Sequence, residues 1–183
     1  MAHAALSTTE VVALTGLDER RVRKDVEHGI VAKASPPRFD LADLVYFWAV
    51  AELGFDIGVG DRKKLFHLIK DALDAKAVPS RLTVSLITEL RFGDLVASVK
   101  RRLARFEAWK DKLVLDESIL GGEPVFPKSR LAVRHVGGMM INGADVAEVR
   151  EDYPYLSDED IEFAKLYAIA YPRLGRPREV ATR

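Results

Sequence analysis

The side chains best suited to chemistry in this chain are arginines and lysines, which are concentrated in short segments. Four cations fall within five consecutive positions, namely Arg20, Arg21, Arg23 and Lys24. If this segment is a helix, we expect the four on the side opposite Val22 and Val26, where they can bind phosphate groups. The formal net charge of the chain is zero, so any affinity for nucleic acid has to come from such a local basic surface.

A second basic segment stands at the C-terminal end, where Pro172 is followed by Arg173, Arg176, Arg178 and Arg183. Proline and glycine interrupt this segment, and it has no hydrophobic periodicity. It is therefore either a frayed terminus or an extended arm that orders when it binds a partner. Because the guanidinium group can bind a carboxylate through two hydrogen bonds, an arm of this kind suits an acidic surface.

The residues that usually perform catalysis do not form a recognisable constellation. The histidines, His3, His28, His67 and His135, are scattered, and none stands at metal-ligand spacing from another. The chain has no cysteine, which excludes disulfides and thiolate ligands and is compatible with a reducing cytoplasm. Gly137 and Gly138 fall inside a predicted helix rather than in a phosphate-binding loop. We expect no catalytic residues, no metal and no cofactor.

Two short helices that could position the first cation cluster are predicted near the N-terminal end. Ser7 and Glu10 form a capping-box pattern that begins the first helix, and Gly16 ends it. Asp18 can cap a second helix, which runs from Glu19 to His28. Two short helices joined by so brief a turn are typical of a helix-turn-helix motif, and an ordinary helical hairpin is the alternative.

The segment after these helices is predicted to form a small two-stranded wing. The segment runs from Ile30 to Phe39 and contains proline, and the wing within it ends at Arg38. A third helix then begins at Asp40 and continues to Gly54.

This N-terminal stretch resembles the DNA-binding module of MerR-type regulators. The similar pieces are STTEVVALTGLDERRVRKDVEHGIV and PPRFDLADLVYFWAVAELGF. In that family the second helix enters the major groove and the wing contacts the DNA backbone. The resemblance implies that the chain binds double-stranded operator DNA through Thr8, Thr9, Arg20, Arg21, Arg23, Lys24 and Arg38. Because the chain has no cysteine, the metal site of the family's metal sensors is not expected.

We assign residues 1–76 to this module, with a last amphipathic helix from Asp61 to Lys76, and residues 77–118 to a connector. The connector is predicted to be strand-helix-strand, with strands at Leu82–Leu86 and Leu113–Leu120 and a long helix that begins at Gly93. The two strands can pair around the helix, within one chain or between the chains of a homodimer. The helix also carries a basic face that is either solvated or in contact with phosphate, made of Lys100, Arg101, Arg102 and Arg105.

Residues 119–172 are predicted to form a second, small helical module, followed by the tail of residues 173–183. Helices are expected at Val133–Ile141, at Asp145–Asp152, and after a capping box at Ser157. Their surface is rich in carboxylates. Several of these acids stand in first helical turns, where they stabilise the helix dipole, and a metal site is the less favoured interpretation.

This second module resembles the small bacterial antitoxin-associated domain filed as domain of unknown function 433. The similar pieces are Gly121-Gly122-Glu123-Pro124, Arg130-Leu131-Ala132-Val133, Asn142-Gly143, Glu151-Asp152-Tyr153-Pro154-Tyr155-Leu156 and Asp160-Ile161. The resemblance implies a VapB-like antitoxin of a type II toxin-antitoxin system. Such a protein represses its own operon and neutralises a partner toxin, commonly a PIN-type ribonuclease. The tail arginines are then expected in the carboxylate-lined active site of that toxin.

The expected fold is mainly α with minor β, and the expected location is the cytoplasm, because neither a secretion signal nor a membrane-spanning apolar run is recognisable. The first hypothesis for function is an antitoxin and autorepressor that acts as a homodimer. The alternative hypothesis is a ligand-responsive MerR-like transcriptional regulator without a toxin partner.

Overall fold

The computed structural model describes residues 5–31, 34–85 and 88–172. The arginines predicted to bind the toxin lie outside these residues, namely Arg173, Arg176, Arg178 and Arg183. Within them, no helix is long and apolar enough to cross a membrane.

Helices make up most of the described chain, and the mainly α fold with minor β is confirmed at this level. The elements, in chain order, are α1 (Thr8–Thr15), α2 (Glu19–Glu27), α3 (Leu41–Leu53), α4 (Val59–Asp74), β1 (Leu82–Ser85), β2 (Thr88–Leu90), α5 (Phe92–Lys110), a 3₁₀ turn (Leu120–Gly122), α6 (Val133–Ile141), α7 (Val146–Asp152) and α8 (Asp158–Ala170).

The ends of α1 and α2 are set by the capping residues that the sequence predicts. The hydroxyl of Ser7 accepts a hydrogen bond from the backbone N–H of Glu10 at 3.3 Å, and the Glu10 carboxylate accepts from the Ser7 N–H at 2.8 Å. Gly16 ends α1 with φ at 73°, a left-handed conformation that favours glycine. The Asp18 side chain then accepts from the backbone N–H of Arg20 at 2.7 Å and begins α2. Only residues 16–18 separate the two helices, so the short turn is confirmed.

Helix α3 is the most deeply buried helix of the N-terminal half, because α1, α4 and α5 all pack against it. Its first turn holds a second capping box. The Asp40 side chain accepts from the Asp43 N–H at 3.0 Å, and the Asp43 side chain accepts from the Asp40 N–H at 2.9 Å. Burial raises the pKa of Asp43 to about 6, and the nearby charge of Asp40 contributes to the increase.

Because of this raised pKa, we predict that the stability of Asp43→Asn relative to wild type increases as the pH rises. The folded state holds the Asp43 proton more tightly than the unfolded chain, so the contribution of Asp43 to stability is present at low pH. It is lost as the pH rises through about 6. Asparagine keeps the hydrogen-bond acceptor and carries no charge. Between about pH 4 and pH 7, the free energy of unfolding of the variant should therefore gain about 2 kcal/mol relative to wild type.

Urea unfolding of both proteins at several pH values measures this difference. Asp43→Ala is the control, because it also lacks the titrating carboxyl but has no acceptor. It should show the same pH dependence relative to wild type and lie about 1 kcal/mol below Asp43→Asn at every pH. A difference between Asp43→Asn and wild type that does not change with pH contradicts the prediction.

The predicted two-stranded wing is not found in the described part of residues 30–39, which lacks Ala32 and Lys33. Phe39 instead forms an isolated antiparallel bridge with Leu6, with backbone hydrogen bonds of 2.8 and 2.9 Å. Phe39 is fully buried, so pairing with the segment before α1 places its ring in the core. A partner within residues 30–38 would have required a tight reversal of a segment that contains two adjacent prolines.

The connector also differs from its predicted arrangement. Strand β1 pairs with β2 in antiparallel orientation, with Leu82 opposite Leu90. The segment predicted as a strand at Leu113–Leu120 contributes only Val114, which bridges to Val125. The prediction that the two strands pair around the long helix within one chain is therefore wrong, whereas pairing between the chains of a homodimer stays a prediction. A strand adjacent in sequence pairs at a lower cost in loop entropy than a strand beyond a long helix.

Helix α8 holds the C-terminal helices together and joins them to the N-terminal ones, since it packs against both α6 and α1. The aromatic rings of Phe106 and Trp109 on α5 contact Phe163 on α8, with centroids 5.8 and 5.7 Å apart. The predicted limits of α6 at Val133 and Ile141 are confirmed. The predicted capping box at Ser157 is confirmed as well.

Candidate nucleic-acid interface

Three of the predicted DNA-binding cations lie on one exposed face of α2. Arg20, Arg23 and Lys24 are exposed, whereas Val22 is fully buried against the core. Arg23 donates two hydrogen bonds to Glu19, at 3.0 and 2.6 Å. Because Arg20 and Lys24 form no ion pair within the described residues, their charges are available to an external anion.

Arg21 lies apart from this face, so its predicted grouping with the other three cations is corrected. Its side chain is directed towards Asp56, with which it forms an ion pair, and its Nε lies 4.0 Å from Asp25. The reason is helical geometry, because residues 21 and 25 stand one turn apart on the side of α2 that faces the protein. Arg21 is therefore placed to hold α2 in position rather than to face solvent.

A buried polar cluster behind α2 was missed in the sequence analysis. Asp25 is completely inaccessible to solvent, accepts a hydrogen bond from the Tyr46 hydroxyl at 2.7 Å, and is ion-paired with Arg62. The cluster joins α2, α3 and α4. Burial, together with the adjacent Asp25 carboxylate, raises the pKa of Tyr46 well above its usual range, so the hydroxyl stays protonated and donates.

One sequence signal could have indicated this cluster. Asp25 stands three residues after Val22, and Arg62 three residues before Leu65, so each charge occupies a position on an apolar helical stripe. A charge at such a position is almost never fully buried unless it is paired. The pattern indicates that a partner exists but not which residue it is.

The predicted threonines lie on α1, and Arg38 lies in the segment before α3. The Thr9 hydroxyl donates a hydrogen bond to the carbonyl of Ala170 at 2.7 Å, so it joins α1 to the end of α8. Thr8 is the first residue of α1 and is half-buried. Arg38 is exposed and directly precedes the buried Phe39.

The last residues before the basic tail are anchored to α1 and α5. The Tyr171 hydroxyl donates to the Glu10 carboxylate and accepts from the Lys110 ammonium group at 2.7 Å. Burial alone would raise the pKa of Glu10. Hydrogen bonds from the Ser7 N–H and from Tyr171 outweigh the effect of burial, so the pKa of Glu10 lies below its usual value. Glu10 is thus a charged acceptor, and the chain leaves this anchor close to the first turn of α1.

The C-terminal helices present an acidic surface, with only a few compensating cations. Exposed acids include Glu148, Glu151, Asp152, Asp158, Glu159 and Glu162. Asp158 is paired with Arg150, and Glu159 accepts from Arg105 at 2.8 Å. In the part of the chain that the structure describes, no group of three or more acidic or histidine side chains is placed to hold a metal ion.

Comparison with known proteins finds a family model that matches this C-terminal region. Residues 113–168 match the model of the family described as Protein of unknown function (DUF433). The match covers less than half of the chain and overlaps the predicted module at 119–172. The match begins six residues before that module, and the bridge between Val114 and Val125 ties the segment before the 3₁₀ turn to the rest of the matched region.

One curated relative is similar to about half of the chain. It is an uncharacterized protein, y4eO, of Sinorhizobium fredii, 32% identical over 97 residues. The similarity covers 53% of this chain and 41% of the relative. No solved structure matches the chain.

Proposed function

We propose that the chain is a DNA-binding regulator that inserts α2 into the major groove of operator DNA. The observation that carries this proposal is the exposed face of Arg20, Arg23 and Lys24, opposite the buried Val22. A helix that presents cations outward, on a short turn after another helix, suits phosphate and base contacts. The buried cluster of Asp25, Tyr46 and Arg62 keeps that face in a fixed orientation. The proposal also includes a backbone contact from Arg38 and a homodimer, which the resemblance to MerR-type modules implies.

We further propose that the regulator is a VapB-like antitoxin, whose DUF433 region and basic tail hold a ribonuclease toxin, of PIN type. Two observations support this division of roles. The acidic surface of α7 and α8 repels phosphate, so the C-terminal region is poorly suited to DNA. The tail begins beyond Tyr171, which is anchored to Glu10 and Lys110, and its four arginines suit a carboxylate-lined site.

A single set of proteins tests both roles. It contains the full chain, the double variant Arg20→Ala/Arg23→Ala, and a chain that ends at Tyr171. Fluorescence anisotropy measures binding to duplex DNA from the region upstream of the chain's own gene, and affinity capture from the native host measures partner binding. The double variant should lose at least about tenfold in DNA affinity and retain the partner. The shortened chain should retain DNA binding and lose the partner.

The control for charge loss is Lys76→Ala/Lys112→Ala, which removes two exposed cations outside α2 and should leave DNA affinity nearly unchanged. Unchanged DNA affinity in the α2 variant would falsify the assignment of α2. If neither the full chain nor the shortened chain captures a stoichiometric nuclease, the antitoxin role fails, and a free-standing regulator remains.

A further inference from the structure

A cavity of about 650 Å³ lies between the N-terminal and C-terminal helices. Val12 and Leu17 line it on the side of α1, and Met140, Val146 and Ile169 line it from α6, α7 and α8. Its size is typical of pockets that hold small organic molecules, and such pockets are common where two structural units meet.

Trp48 on α3 supplies the aromatic wall of this cavity. Its side chain is only half-buried, and it also lines two smaller neighbouring cavities of about 260 and 210 Å³. A large aromatic side chain left partly uncovered among three cavities provides an apolar surface for a flat ligand.

Arg102 on α5 supplies the polar group of the cavity. Its guanidinium lies over the Trp48 ring, 5.7 Å from the centroid. Its Nε is shielded from solvent and has no hydrogen-bond partner in the described residues. The neighbouring Arg105, by contrast, is satisfied by Glu159, with bonds of 3.1 and 2.8 Å. The shielded Nε is closed to a ligand as well as to water, so an anion in the cavity accepts hydrogen bonds from the part of the Arg102 guanidinium that lines it.

The charge around the cavity favours an anion. Arg102 and Lys165 are the cations that line it, and Glu162 is the acid. Two cations therefore face one carboxylate in this cavity.

We propose that this cavity binds a small organic carboxylate with a flat apolar body. The apolar body packs against Trp48 and Met140, and the carboxylate accepts hydrogen bonds from Arg102. This site goes beyond the proposed DNA and toxin binding, and its test depends on neither.

The test uses 2-naphthoate and its neutral analogue 2-naphthylmethanol as probes of the full chain. The chain contains two tryptophans, so ¹H–¹⁵N NMR gives two indole signals, which Trp48→Phe assigns. Naphthoate should shift the Trp48 signal saturably. It should leave the Trp109 signal in place, because that indole is buried and donates to Asp160 at 3.0 Å. Naphthoate should also bind about tenfold more tightly than the alcohol.

Two arginine variants separate recognition of the carboxylate from general charge. Arg102→Gln should remove the preference for naphthoate, while Arg101→Gln, an exposed neighbour on the same helix, should retain it. The dispersion of each variant's NMR spectrum reports whether it is folded. The proposal is overturned if the Trp48 signal does not shift saturably, if acid and alcohol bind equally, or if folded Arg102→Gln keeps the preference.

Discussion

Replacing Gly137 by alanine should lower the free energy of unfolding by about 3 kcal/mol, since overpacking against rigid neighbours forces the backbone to shift. Helices α6 and α8 pack closely at this residue, and Gly137 is buried. An added Cβ would overlap the carbonyl oxygen of Ala164 and stand 2.6 Å from the Cβ of Ala168. Neither atom can rotate away, so the two helices would have to separate.

The position of α8 makes this separation costly. The Thr9 hydroxyl on α1 donates a hydrogen bond to the carbonyl of Ala170, and the Trp109 indole on α5 donates one to Asp160 in the first turn of α8. Moving α8 away from α6 would therefore strain its contacts with α1 and α5 as well. The effect of Gly137→Ala is expected to reach the junction between the N-terminal and C-terminal helices.

The adjacent glycine provides a matched control. A Cβ at Gly138 meets no heavy atom within 4 Å, although it lies in the same helix. Gly138→Ala should therefore stabilise the protein by about 0.5–1 kcal/mol, through the higher helix propensity of alanine. Urea unfolding followed by circular dichroism measures both variants. Equal effects of the two substitutions would show that close contact between α6 and α8 does not require Gly137.

The second large effect is expected at Asp25. Asp25→Ala should lower the free energy of unfolding by about 3–5 kcal/mol, because it leaves the buried Arg62 without its counter-charge. Arg62 is itself buried, and its Nε already has no hydrogen-bond partner in the described residues. The Tyr46 hydroxyl would lose its acceptor in the same variant.

Three further variants distinguish the buried charge from a simple loss of packing. Tyr46→Phe removes one hydrogen bond and leaves the ion pair, so it should cost about 1 kcal/mol. Asp61→Ala removes an exposed ion pair with Lys64 and should cost less than about 0.5 kcal/mol. The double variant Asp25→Leu/Arg62→Met replaces both charges with apolar groups and should be more stable than Asp25→Ala. If it is no more stable, the unpaired Arg62 charge is not the cause of the loss.

The sequence by itself determined where many of the helices begin and end. The capping boxes at Ser7 and Ser157, the glycine that ends α1 and both limits of α6 agree with the structure. These signals are local, because a cap and its partner stand three residues apart and their hydrogen bonds do not depend on the rest of the chain. The predicted limits of α4, Asp61 and Lys76, each lie two residues beyond the observed ones, since no side-chain cap defines the start of this helix.

The tertiary structure decided which distant residues meet. The pairing of β1 with β2, the bridge from Phe39 to Leu6 and the turn of Arg21 towards Asp56 each depend on a partner that no local pattern names. The same holds for the contact between α6 and α8 at Gly137, and for the cavity beside Trp48 and Arg102. Periodicity shows which face of a helix is buried, but any complementary face can cover it. The choice among possible partners is made only when all the helices pack together into one core.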